Sequence, residues 1–224
     1  MSIKVKLFKG AIWNGISQFG SQGINFVITI ILARLLSPYE FGLVGMVGGF
    51  TAFIGYFTEF GLKASLVQKK DLDEIDCQTV FWTTLFFSIF FYILVYLLAP
   101  LIAKFYKIDE LVLITRIIFI QFLIYPFAFV NEASEIKELK YKNIAIADIV
   151  GLFLSGLVGI SLAFMGFGVW SLVALQICKV FIRTICIIYS TSFKPKFIYS
   201  LNRFVKLMGS GFQFTLNNLL QFSS

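Results

Sequence analysis

The sequence predicts an all-α protein that crosses a membrane several times, and three observations carry that expectation. Hydrophobic residues make up 58% of the chain and charged residues only 14%, against roughly 45–50% and 25% in soluble domains. Six apolar runs, at 11–36, 41–62, 79–103, 110–130, 146–166 and 169–190, are long enough for spanning helices, and a seventh begins near 205. These runs are too long and continuous for the short alternating strands of a β-barrel, the other structure that satisfies backbone groups in lipid. The mean hydropathy of +0.88 agrees.

The first run follows Lys4, Lys6 and Lys9, as the h-region of a signal peptide would, but it exceeds the usual length of about 7–15 residues and reads as a retained helix. It carries Asn14, Gln18, Ser21, Gln22, Asn25 and Thr29, which at about 100° per residue share an arc of about 100°. Such a helix cannot face lipid all round. Two readings are open: these groups bind neighbouring helices, or they line a watery path for a polar substrate. The second run presents Gly45, Gly48, Ala52, Gly55 and Glu59 on one side, a face suited to close packing. The third run is expected to stop near Pro100, as others stop near Pro38 and Pro195. Before it, Lys69 to Asp76 mixes charge signs and reads as a solvated connection.

The fourth run contains Arg116, and Pro126 is expected to kink its last turn. Glu132 to Lys142 then alternates charges around Ile136 and Leu139, as a short amphipathic helix on the membrane surface would. The fifth presents Asp148, Gly151, Ser155, Gly159 and Gly166 on one side, a second packing seam, and the Met165-Gly166-Phe167-Gly168 link makes a tight hairpin with the sixth. The sixth carries Gln176, Lys179 and Arg183 at i, i+3 and i+7. A cation deep in a bilayer costs roughly 2.5–3.5 kcal/mol on insertion scales, so Arg116 and Arg183 need a counter-ion, a headgroup or a cavity. Either they pair with Glu59 and Asp148, or they meet an anionic group, for which a guanidinium suits phosphate oxygens. Glu59 and Asp148 are candidates for ion pairing or for a coupling proton or sodium ion. In the seventh, Gln213, Asn217, Gln221 and Ser224 repeat Asn14, Gln18, Gln22 and Asn25 after 199 positions, so the chain reads as one half of a duplicated protein plus the opening of the second.

Basic residues set the orientation. With the N-terminus cytoplasmic, thirteen loop lysines and arginines lie inside and three, Arg34, Lys104 and Lys107, lie outside. Six crossings return the chain to the cytoplasm, so both polar stripes enter in the same direction and the repeat is parallel. The net charge of +7 thereby reflects topology, and no nucleic-acid partner is expected. The chain has no histidine, and Cys77, Cys178 and Cys186 form no C-x-x-C pair; no catalytic residue, metal site or cofactor is expected. The organisation expected is a six-helix lobe at 1–190, a cytoplasmic linker at 191–204 and the start of a second lobe at 205–224, truncated at Ser224.

The segments Ala33-Arg34-Leu35-Leu36-Ser37-Pro38-Tyr39-Glu40-Phe41-Gly42, Gly61 to Lys70, and Gly166-Phe167-Gly168-Val169-Trp170-Ser171-Leu172-Val173 together resemble the polysaccharide-exporting flippases, such as O-antigen or capsule repeat-unit translocases of the multidrug/oligosaccharidyl-lipid/polysaccharide exporter superfamily. The resemblance implies a fold of two six-helix lobes around a central cavity, of which this chain holds the amino-terminal one. It implies a bacterial inner-membrane protein that carries an oligosaccharide on a polyprenyl pyrophosphate to the outer leaflet by alternating access, beside a polysaccharide polymerase and glycosyltransferases. In that frame Asn14, Gln18, Gln22, Asn25, Gln176, Gln213, Asn217 and Gln221 would replace the sugar's water partners, while Arg116, Lys179 or Arg183 would meet the pyrophosphate. The rivals are a cation-coupled drug or metabolite antiporter of the same fold, a membrane enzyme of polysaccharide assembly, for which the Asp71 to Asp76 cluster is the candidate, and a non-transporting membrane scaffold.

Overall fold

The computed structural model describes the backbone at residues 3–59, 61–69, 71–191 and 193–209, and the side chains of those stretches apart from 3–7 and 56–59. The elements are α1 (Ile3–Leu35), α2 (Pro38–Glu59), α3 (Leu62–Gln68), α4 (Glu74–Tyr106), α5 (Glu110–Ile118), α6 (Gln121–Lys137), α7 (Tyr141–Phe164) and α8 (Val169–Ser190). A further helical stretch covers 201–209, and no strand occurs among the described residues. Among the described residues, five spans are long and apolar enough to cross a membrane: α1, α4, α5 with α6, α7 and α8. With α2, of 22 residues, they follow the predicted order of runs. The protein is a polytopic membrane helix bundle.

Pro100 behaves differently from expectation. α4 continues through Pro100 to Tyr106. Proline has no N–H for the carbonyl four residues earlier, that of Tyr96. Arg116 on α5 donates its Nε to that carbonyl at 3.4 Å, and its guanidinium carbon lies 4.1 Å from the centre of the Tyr96 ring. An arginine thus replaces the donor that the proline removes, one of the ways membrane helices tolerate proline. In the fourth run the interruption comes at Phe119 and Ile120, ahead of Pro126. There Ile120 N–H donates to the Ile117 carbonyl and Leu123 N–H to that of Ile120, tighter i to i+3 bonds that separate α5 from α6.

In lipid, helices are held by close contact and polar bonds more than by expulsion of water, and α7 shows this on two sides. Toward α8, a Cβ at Gly151 would stand 3.2 Å from the Lys179 carbonyl oxygen, and one at Gly159 3.0 Å from Leu175 Cβ. Toward α1, Gly156 receives the Ile28 side chain. The predicted seam on this helix is therefore real, except that Gly166 stands in the following turn at φ +80°. On α2, by contrast, Gly45, Gly48 and Gly55 have nothing among the described residues within 4 Å of a Cβ position, so no described helix completes the predicted seam there. That face is open. The larger apolar core gathers Leu32, Leu43, Val47, Leu111 and Phe119. A smaller one, of Leu62, Leu66, Phe81, Phe129 and Leu207, lies where α3 meets the start of α4.

After α8 the chain folds back onto the first turns of α4. The fully buried Gln78 donates to the Lys194 carbonyl at 2.8 Å and accepts from the Lys196 N–H at 2.7 Å. Trp82 Nε1 donates to the Lys196 carbonyl at 2.8 Å, and its ring stacks on Phe197 with centroids 4.8 Å apart. Arg203 bonds Asp73 at 3.0 Å and Asp76 at 3.1 Å. The segment from Lys69 to Asp76 is thus more than a solvated connection, because Asp76 is fully buried and held by both Lys69 and Arg203. Helix resumes at 201 rather than near 205. Nor does Glu132 to Lys142 form a separate surface helix: Glu132 to Lys137 complete α6, and α7 starts at Tyr141.

Candidate functional site

α1 divides into three faces. Ser17, Ile28 and Leu32 are buried, with Gly10 against the Tyr141 ring; this face meets α7. Ile12, Ile16, Phe19, Phe26 and Ile30 form an exposed apolar face. Between them Asn14, Gln18, Gln22, Asn25 and Thr29 are all exposed, while Ser21 is half-buried. A polar stripe that served only to bind α1 to its neighbour would be covered by that neighbour. Here the seam with α7 uses Ser17, whose hydroxyl donates to Asp148 Oδ2 at 3.0 Å, and leaves the stripe open.

Asp148 belongs to an ion-pair chain that joins four helices, α3, α6, α7 and α8, and Ser17 ties α1 to it by a hydrogen bond. Arg183 Nε on α8 bonds Asp148 Oδ1 on α7 at 2.7 Å. Its two terminal nitrogens reach Glu132 on α6, at 3.1 and 3.2 Å, in a fork. Glu132 also meets Lys63 of α3 at 3.5 Å, and Lys63 Nζ donates to the Tyr125 hydroxyl at 3.0 Å. Two cations face two carboxylates, so the chain is neutral in sum. Its depth is uniform. Glu132 lies five residues from the end of α6, Asp148 seven from the start of α7 and Arg183 seven from the end of α8, or roughly 8–10 Å in from one side at 1.5 Å per residue.

The remaining predicted residues separate into those engaged by the protein and those left open. Arg116 is engaged at Tyr96, and Arg183 by two carboxylates. On α8, Gln176 is half-buried and Lys179 exposed. Near them the open face of α2 borders a cleft of about 370 Å³ lined by Thr51, Ala52, Gly55, Gln121, Tyr125 and Val180. The side chain of Glu59, and Gln213, Asn217 and Gln221, lie outside the described residues. Glu132 and Lys63 were not among the predicted residues. The signal for Glu132 was available, since it follows the apolar run at 110–130 by two residues and so lies near the depth where Arg183 needs an opposite charge. No group of three or more His, Cys, Asp or Glu able to hold a metal occurs among the described residues.

An all-helical bundle with five spans long and apolar enough to cross a membrane among the described residues is a polytopic membrane protein rather than a soluble domain. Residues 31–224 match the family of polysaccharide biosynthesis proteins, and the chain belongs to that family. It is 25% identical to the succinoglycan biosynthesis transport protein ExoT of Rhizobium meliloti, over 87% of this chain and 40% of that protein. It is 29% identical to the teichuronic acid biosynthesis protein TuaB of Bacillus subtilis, over 89% of this chain and 42% of that one. The lipopolysaccharide biosynthesis protein WzxC of Escherichia coli is 22% identical, over 66% and 30%. The chain thus spans about two-fifths or less of the length of these relatives. No solved structure matches it significantly.

Proposed function

We propose that the chain is the amino-terminal lobe of a flippase that carries lipid-linked oligosaccharide units from the cytoplasmic to the outer leaflet for surface polysaccharide synthesis, with its N-terminus cytoplasmic. A second lobe, supplied by a protein of the relatives' full length, would face the open side, and the two would rock about a central cavity. The observation that carries this reading is the exposed row of Asn14, Gln18, Gln22 and Asn25, distinct from both the α7 seam and the apolar face of α1. Sugar hydroxyls lose water partners on entering a membrane, and amide side chains in a row replace them. On α8, Gln176 supplies a further amide, one turn from Lys179. Because Arg116 and Arg183 are already engaged, the anion contact falls to Lys179, the exposed cation of α8. Asp148 and Glu132 are neutralised by Arg183, so the reading routes no coupling proton or sodium ion through them.

The test uses the full-length protein in a host whose surface polymer depends on it. Gln18→Leu with Gln22→Leu is expected to lower polymer export while leaving protein level and thermal midpoint unchanged, because neither residue is covered by the lobe. Phe19→Leu, on the apolar face, is expected to export normally. Full export by the double leucine variant would remove the stripe from the substrate path.

A further inference from the structure

The linker strapped to α4 has a face that its own lobe does not cover. Phe197 is 94% exposed, Leu201 65% and Val205 62%, although Trp82 and Gln78 hold the same segment by its backbone. Their surroundings indicate what lies against them. Trp82, Phe86, Phe90, Ile93 and Leu97 recur at helical spacing on one side of α4, and the last four are exposed. In a membrane bundle that stripe faces hydrocarbon. Phe197, stacked on Trp82, stands at its foot, where aromatic rings collect at the boundary between hydrocarbon and headgroups. Between the linker and α4 runs an apolar groove of about 600 Å³, lined by Trp82, Thr83, Phe86, Phe87, Tyr199 and Phe204. Lys194 and Lys196, on the same linker, are exposed, and the Lys196 carbonyl accepts from Trp82, which lines the groove. Lys196 rests on Glu74 at 2.6 Å with both side chains more than half exposed, a surface pair worth little, which a phosphate oxygen can share.

We infer that the linker and the first turns of α4 form a binding site for an anionic phospholipid, with an acyl chain in the groove beside Phe86 and the headgroup phosphate against Lys194 and Lys196. This site lies on the outer flank of the lobe, apart from the polar stripe of α1, and it stands whether or not the flippase reading does. Its ligand is a bulk lipid of the leaflet. The substrate of the proposed cavity is not involved.

Tryptophan quenching tests it. In the full chain, every tryptophan except Trp82 is replaced by phenylalanine, and the protein is reconstituted in phosphatidylcholine vesicles containing equal fractions of brominated phosphatidylglycerol or brominated phosphatidylcholine. Brominated phosphatidylglycerol is expected to quench Trp82 with about fivefold higher apparent affinity for each lysine engaged, the scale for a lysine at an anionic surface. Lys194→Gln with Lys196→Gln should abolish the preference while leaving quenching by phosphatidylcholine intact. Glu74→Gln, which frees Lys196, should raise it. A protein retaining Trp170 alone serves as reference and should show no preference. Equal quenching by both lipids would overturn the site, leaving ordinary boundary lipid. Absence of quenching by either would overturn it differently, showing that the rest of the protein covers the linker.

Discussion

Replacing Arg116 with alanine removes the donor that compensates for Pro100, and the size of the effect follows from the geometry. A hydrogen bond from a charged donor contributes about 1.5–3 kcal/mol, and a cation–π contact about 0.5–2 kcal/mol. The 3.4 Å bond is long and Arg116 is half-exposed, so the low ends apply and the loss should be about 2 kcal/mol. In a Pro100→Ala background the new N–H supplies the Tyr96 carbonyl from within α4. There Arg116→Ala should lose only the ring contact, about 0.5–1 kcal/mol. The difference, a coupling of about 1–1.5 kcal/mol, is what a double-mutant cycle reads. Reversible unfolding of the purified full-length protein in mixed micelles, titrated with a denaturing detergent, gives the four stabilities required. An equal cost of Arg116→Ala in both backgrounds would refute the proposed link between the arginine and the proline.

Other perturbations separate the seams from the open faces. Glu132→Gln should destabilise the lobe by about 2–4 kcal/mol, because it leaves Arg183 and Lys63 with a surplus of positive charge inside the bundle; the same unfolding titration measures it. Removing the charges together, with Arg183→Met, Lys63→Met, Glu132→Leu and Asp148→Leu, should recover part of that loss. Gly159→Leu should cost about 1–3 kcal/mol by overfilling the α7–α8 seam, whereas Gly45→Ala on the open face of α2 should leave the thermal midpoint unchanged. Gln78→Leu strands the Lys194 carbonyl and the Lys196 N–H, and should speed amide exchange across 194–200 without changing exchange in α7.

Much of the fold was legible because hydropathy and helical period report directly on length and face. The spans, the seam on α7 and the polar sector of α1 all come from such local patterns. What stayed hidden depends on partners distant in sequence. The open face of α2 has the same small residues as the seam of α7, and nothing in its own sequence says that no helix arrives. Pro100 was read as a stop because the arginine that satisfies Tyr96 stands twenty residues away on another helix. Glu132 and Asp76 were assigned to loops by their charge, yet both are buried against cations. In the candidate site, spacing placed the amides of α1 on one face. Which of the arginines was already occupied could be learned only from three dimensions.

The division of α1 into three faces also bears on how the protein is made. Among the described residues its one large interface is with α7, and the Ser17 to Asp148 bond joins positions 131 residues apart. At synthesis rates of roughly 5–20 residues per second, α7 leaves the ribosome about 7–25 s after α1. Through that interval α1 stands without the helix that takes its Ser17 hydroxyl. It must wait at the edge of the insertion machinery, or against water at the membrane surface, and the late arrival of α7 is the event that commits it to its final place.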